Sequence, residues 1–258
     1  MLATTLTRLG RMSRSTRWSV HRGLTARTLT SIAFKNTAAP GETANLMFER
    51  EGKPISPWHD IPLSSTEGLY NMVTEIPKGT NAKMEICTDK DYNPIVQDYK
   101  NGKPRFLTHG NVLYNYGALP QTWEDPEHKV EDAENLPGDN DPLDIIDIGS
   151  MPQSMGTVSQ VKVLGVLGLI DEGECDWKVL CINHDDPLAK TLHDIDDVEE
   201  QCPGVVKSIM EWYRDYKIVD GKPQNRYAFD GIAKDKAYAE KVIAECHGMW
   251  RGRQAAQK

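Results

Sequence analysis

Three carboxylates crowd the stretch Asp139-Asn140-Asp141-Pro142-Leu143-Asp144, which runs directly into the apolar Ile145-Ile146-Asp147-Ile148. Pro142 steers Asp141 away from the helical region, and on extended backbone residues two apart point to one side, so Asp139 and Asp141 share a face. Like charges this close push one another's pKa values upward, and a fold that holds them must compensate them with a cation or with water. Two readings follow: a solvated Asp-rich turn, or a site for a hard divalent cation. An EF-hand loop is excluded, because positions six and twelve from Asp139 hold Asp144 and Ser150 where that loop needs glycine and glutamate. An aspartyl-phosphate nucleophile has no support, since nothing singles out one aspartate to attack.

The start of the chain is of another kind. Residues 1–41 carry Arg8, Arg11, Arg14, Arg17, Arg22, Arg27 and Lys35, are rich in Ser and Thr, and contain no acid before Glu42. Leu2, Leu6 and Leu9 share a helical face. This composition reads as a mitochondrial transit peptide outside the fold, cleaved between Arg27 and Gly41; a basic nucleic-acid-binding arm is the alternative. The expected address is the mitochondrial matrix, with the cytoplasm as runner-up. Without those seven cations, 23 basic residues face 38 acidic ones, a net charge of −15 for residues 42–258. So acidic a body disfavours nucleic acid and anionic membranes. No stretch approaches the roughly 20 apolar residues that span a bilayer, so no membrane insertion is expected.

Residues 42–258 contain no repeat and no low-complexity linker, which points to a single domain. Leu46 to Phe48, Met72 to Ile76, Met84 to Cys87, Ile145 to Ile148, Val158 to Ile170 and Trp177 to Ile182 read as strands between Gly/Pro turns. Helical spacing appears late, in Val206, Ile209, Met210, Tyr213 and Tyr216, then in Tyr238, Val242, Cys246 and Trp250. The expected fold is mainly β with flanking helices (α+β), a barrel-like core with carboxyl-terminal helices outside it. The five cysteines form no C-x-x-C pair and read as reduced packing residues, and the seven histidines lack H-x-x-x-H spacing.

Two more stretches carry charge in a pattern. In Glu75-Ile76-Pro77-Lys78-Gly79-Thr80-Asn81-Ala82-Lys83-Met84-Glu85, Lys83 and Glu85 fall on one face of a strand, as a surface ion pair or as part of a site. In Asp171-Glu172-Gly173-Glu174-Cys175-Asp176-Trp177-Lys178, four acids precede a lysine across a hairpin, as a solvated tip or again as part of a site.

Together these three stretches resemble the soluble inorganic pyrophosphatases of the eukaryotic type, family I, and with the basic leader the mitochondrial form. Asp139 to Asp144 matches that family's D-x-D-P-x-D signature, Glu75 to Glu85 its E-I-P-x-x-x-N-A-K-x-E strand, and Asp171 to Lys178 its D-E-G-E-x-D-W-K hairpin. Trp58-His59-Asp60-Ile61-Pro62, Asn115-Tyr116-Gly117-Ala118-Leu119-Pro120-Gln121-Thr122-Trp123-Glu124-Asp125-Pro126 and Asp220-Gly221-Lys222-Pro223 agree as well. The resemblance runs from about Leu46 to Trp250, and so many ordered blocks make it specific.

The resemblance implies a five-stranded OB-like barrel with helices packed outside, and magnesium-dependent hydrolysis of inorganic diphosphate to two orthophosphates by an inorganic diphosphatase. It implies that several Mg²⁺ ions are held by Asp139, Asp144 and Asp176, with Asp144 shared, by Asp171, and through water by Glu75 and Glu85. Lys83, Arg105, Lys178, Tyr216 and Lys217 match phosphate-contacting positions, and Tyr116 is a further site residue. Asp141 is the expected general base, the middle carboxylate placed to take a proton from water. A homodimer is implied too. One segment departs from the pattern: between Arg105 and Tyr116 the chain is shorter, and Val112 stands where the family has an active-site tyrosine. Tyr114 takes its place only if the local strand register is regular. The alternatives are a catalytically weak pyrophosphatase-like interaction subunit that retains metal binding, and an acidic cation-binding module, which leaves Lys83, Arg105, Lys178 and Lys217 unexplained.

Overall fold

The structure is a computed structural model that describes residues 32–38 and 44–256. Its first sheet joins β1 (Ile32–Asn36), β2 (Asn45–Arg50), β3 (Lys53–Ile55), β5 (Met84–Ile86) and β6 (Ile95–Gln97) in the order β1-β2-β6-β5, with β3 beside β2. β1 falls inside the span assigned to a leader. Ile32 to Asn36 pair antiparallel with Arg50 to Leu46, and Phe34 tilts against Phe48 at 5.9 Å. That part of the span is therefore built into a sheet, because its alternating Ile32, Phe34 pattern serves an edge strand; residues 1–31 lie outside the described residues.

The second sheet closes on itself. β4 (Tyr70–Ile76), β7 (Asn115–Ala118), β8 (Asp144–Asp147), β9 (Val158–Asp171) and β10 (Glu174–Asn183) form a ring in the order β9-β10-β8-β7-β4 and back to β9. Only the β8–β10 pairing is parallel. One 14-residue strand makes closure possible: β9 pairs with β4 through Val158 to Val161 and with β10 from Val161 to Asp171, with a register shift between Val163 and Gly165. Closure leaves few free edges, and the nearly unbroken burial along β9 and β10 follows from both of their faces being covered. Where β7 crosses β4 the backbones nearly touch. A Cβ on Gly117 would lie 2.0 Å from the Val73 carbonyl oxygen, so glycine is required there.

The late periodicities are realised as α2 (Val205–Asp215) and α3 (Lys236–Ala256). Val206 and Ile209 of α2 pack with Ile146, Leu164 and Leu180 of the barrel. Ala239, Val242, Ile243 and Cys246 of α3 cover Val163, Val166 and Trp177. A short helix α1 (Ile195–Gln201) precedes them, begun by a capping box between Asp194 and Asp197. All five cysteines are free; Cys175, Cys181 and Cys246 sit in the core. No described helix is long and apolar enough to cross a membrane.

Candidate active site

One end of the barrel opens into a cavity of about 230 Å³ lined by every residue expected to hold metal, contact phosphate or take part in catalysis. β4 delivers Glu75, β5 delivers Glu85 with Lys83 just ahead of it, and β7 delivers Tyr116. The loop before β8 gives Asp139 and Asp141, and β8 opens with Asp144. The β9–β10 hairpin supplies Asp171, Asp176 and Lys178; the end of α2 brings Tyr216 and Lys217, and Arg105 closes one side. Nine carboxylates, counting Glu172 and Glu174, thus face four cations.

Register explains the tightest knot. Asp144 pairs with Lys178 across the parallel β8–β10 ladder, and Ile146, two residues on, pairs with Tyr116. Lys178 donates to Asp144 and, at 2.5 Å, to Asp176 Oδ1, while the Tyr116 hydroxyl donates to Asp144. The Lys178 ammonium also lies 5.5 Å from the rings of Tyr116 and Tyr213. Burial works to lower the Lys178 pKa, but Asp144 and Asp176 outweigh it and hold the ammonium well above its ordinary value. Asp176 is nevertheless raised, because burial and the charges of Asp144 and Asp139 outweigh one ammonium.

The other cations are engaged in the same way. Lys83 bonds Glu85 and lies 3.5 Å from Asp98, which also accepts from Arg105 Nη1 at 2.9 Å. Lys217 bonds Asp171 and, at 2.9 Å, Glu172, while the Tyr216 hydroxyl donates to Asp171 Oδ2 at 2.7 Å. Glu75, Asp139 and Asp141 have no cation partner among the described residues and are raised as well. Glu75 is raised well above its ordinary value by burial and Asp144, against the pull of an Ile86 N–H at 2.6 Å. Desolvation in the basin, then Glu85 and Asp144, raise Asp141 to about 7, although it stands at the solvent-facing mouth. Asp139 is raised to about 7 by burial, Asp144 and Asp141.

Glu124, which sequence reasoning passed over as a site residue, belongs to the same cluster: one carboxylate oxygen each from Glu124, Asp139 and Asp176 lie within 4.8 Å of one another. Its signal lay within the Trp123-Glu124-Asp125 block, but an acid beside a tryptophan does not announce burial. Tyr213 was missed as well, though it stands three residues before Tyr216 on the same helical stripe. Tyr114 does not reach the cavity. It sits in a bend before β7 rather than in a strand, its hydroxyl 3.3 Å from Ser208, so the regular register its substitution required is not present. Val112 itself lines the cavity wall, buried beside Leu107 and Trp212. The segment between Arg105 and Tyr116 closes the rim: His109 meets Trp212 edge-on at 5.8 Å, and Thr108 Oγ1 donates to Asp220 at 2.9 Å.

The family model for inorganic pyrophosphatase matches residues 72–251. An inorganic pyrophosphatase of Kluyveromyces lactis is 53% identical over 209 residues, covering 79% of this chain and 72% of the relative. A solved inorganic pyrophosphatase of T. brucei brucei superposes with a TM-score of 0.84 at 44% identity, covering 88% of this chain and 71% of that one. A truncated Trypanosoma cruzi vacuolar soluble pyrophosphatase, solved in complex with PPi, superposes with a TM-score of 0.83 at 40% identity, covering 99% and 100%.

Proposed function

We infer, from the fact that the chain belongs to the soluble inorganic pyrophosphatase family, that its acidic basin gathers divalent cations and with them hydrolyses inorganic diphosphate to two orthophosphates. The carrying observation is the imbalance of the cavity, nine carboxylates against four cations that are themselves held by carboxylates. Highly anionic diphosphate has no reason to enter such a basin until added positive charge reverses its sign.

The donor set fits a hard cation. The cavity's titratable donors are oxygen or amine, with no thiolate or imidazole among the described lining residues. Three carboxylates converge at Glu124, Asp139 and Asp176, the first and last of them buried, and the buried Glu124 Oε2 has no hydrogen-bond partner among the described residues. We assign Asp139, Asp144 and Asp176 to the tightest cation, Asp171 to further ones, and Glu75 and Glu85 to contacts through water, with Mg²⁺ as the ion. Bound there, such ions supply charge neutralisation and acidify water at neutral pH.

The chain's own groups do the rest. Asp141, at the mouth with a pKa of about 7, accepts a proton from the attacking water. Lys83, Lys178 and Lys217 exchange carboxylate for phosphate oxygens once cations occupy the acids. Arg105 offers a planar fork to one phosphate. Tyr116 and Tyr216, both raised well above the phenol range by burial and by acids, remain hydrogen-bond donors as charge develops on the phosphoryl oxygens. The alternative of a catalytically weak interaction subunit is not favoured, since such a protein gains nothing from burying so much like charge. Phosphate release from diphosphate, with Mg²⁺ and with EDTA, tests the reading. Release that requires Mg²⁺ is expected, and none from folded protein with Mg²⁺ overturns it.

Import into the mitochondrial matrix is proposed on the arginine-rich, acid-free start. A cleavage that preserves β1 falls between Arg27 and Ile32, a narrower window than the sequence alone gives. Exclusively cytosolic fluorescence of a tagged full chain would refute import. Homodimer formation is proposed on family grounds; light scattering at the mass of one 29.0 kDa chain contradicts it.

A further inference from the structure

Glu124 is 3% exposed and stands behind the cavity, between the two segments that carry acids into it. Its backbone brackets the loop: the Glu124 N–H donates to the Asp141 carbonyl at 3.0 Å, and its own carbonyl accepts from the Asn140 N–H at 2.9 Å. Its side chain reaches the other segment, Oε1 accepting the Trp177 N–H at 3.0 Å. One residue therefore ties the Asp139–Asp141 loop to the strand that carries Asp176. Gly138 is shaped to this contact, since a Cβ there would lie 2.5 Å from the Glu124 carbonyl carbon. The second carboxylate oxygen, Oε2, is buried with no partner among the described residues. A buried acceptor left without a donor, next to two other carboxylates, costs free energy that a packing role alone does not return.

We infer that Glu124 is a positioning residue for cation binding: it brings the carboxylates of Asp139 and Asp176 into one donor set and, through its own charge, sets how tightly that set holds a divalent ion, without touching diphosphate. The inference rests on the reading of Asp139 and Asp176 as cation ligands. A third negative charge within 4.8 Å of the other two deepens the potential that a divalent cation meets, and the same three charges repel one another without it. The backbone bracket serves the fold whatever the side chain. Charge and reach belong to the side chain, and substitution separates them.

Glu124→Gln keeps the size and the acceptor for Trp177 while removing the charge. Calorimetric titration of Mg²⁺ into substrate-free full-length protein should show a Kd raised about 10–100-fold. At saturating Mg²⁺, kcat and the KM for diphosphate should stay within about threefold of wild type, the pattern of a residue that acts through the cation's ligands. Glu124→Asp keeps the charge but withdraws it by one methylene, and its affinity should fall between the two; it is also the variant to read if Glu124→Gln does not fold. Wild-type Mg²⁺ affinity in either folded variant overturns the inference, as does loss of kcat at saturating Mg²⁺. Asp139→Ala is titrated in parallel. If it too binds Mg²⁺ as wild type does, the cation-site reading itself fails; if it binds weakly while Glu124→Gln does not, only the role of Glu124 fails.

Discussion

Lys178→Met removes the ammonium shared by Asp144 and Asp176 while keeping an unbranched side chain against Tyr116 and Tyr213. The three charged side chains are 4%, 13% and 11% exposed, so the carboxylates left behind are poorly solvated. Breaking a buried pair from one side costs about 3–5 kcal/mol. For a chain of this size each kcal/mol moves Tm by roughly 2–4 °C, which gives a fall of about 6–20 °C in EDTA. The deficit depends on pH. Asp176 is already raised above its unfolded value, so the folded state binds more protons between the two values and stability falls as pH rises through them. Without the ammonium that window widens, and the deficit is larger at pH 8 than at pH 5. Mg²⁺ should raise the variant's Tm more than the wild type's, because a divalent ion takes over the charge pairing. Melting by fluorimetry at both pH values, with EDTA and with Mg²⁺, reads all of this. Equal melting of the two proteins in EDTA, or an equal lift by Mg²⁺, would show that the Lys178 ammonium does not stabilise Asp144 and Asp176.

Other outcomes follow from the same geometry. Asp141→Asn keeps shape and loses the proton acceptor: Mg²⁺ and diphosphate binding should persist by calorimetry while kcat falls by about 10²–10⁴-fold; wild-type turnover contradicts the assignment. Asp144→Ala should raise the Mg²⁺ concentration needed for half-maximal phosphate release, and an unchanged requirement removes Asp144 from the ligands. Tyr114→Phe should leave kcat and KM unaltered, since its hydroxyl meets Ser208 outside the cavity. In the metal-free protein Asp139 and Asp141 sit at about 7, above their unfolded values near 4, so stability in EDTA should fall as pH rises from about 4 through about 7. Saturating Mg²⁺ should flatten that slope, and a slope unchanged by Mg²⁺ contradicts the shared use of these carboxylates by protons and cations.

Long apolar runs and helical stripes were legible because their periodicity is local: Val158 to Ile170 became β9, and the stripe from Val206 became α2. β7 was not. Asn-Tyr-Gly-Ala contains no apolar alternation, and its place in the ring is fixed by Gly117 passing close to Val73, a contact between residues distant in sequence. α1, at seven residues, is too short to show a period. β1 was hidden by a compositional boundary, since a strand of Ile, Ala, Phe, Lys and Asn carries no acid and blends into the basic leader. At the site, the motif residues met in one cavity because each lies at a strand end, at a hairpin, in the loop entering β8 or at the end of α2, within a recognisable pattern. Glu124 and Tyr213 were missed because their importance is positional. The acid becomes notable only once packing has removed its solvent, and the tyrosine only once its ring meets Lys178.

This basin cannot take diphosphate until divalent cations have replaced its internal ion pairs. Calorimetric binding of imidodiphosphate, a slowly hydrolysed mimic, measures it directly when run in EDTA and again in saturating Mg²⁺. No detectable binding in EDTA and saturable binding with Mg²⁺ is the predicted result. Equal affinity in the two would contradict this and show that the lysines and Arg105 bind phosphate unaided.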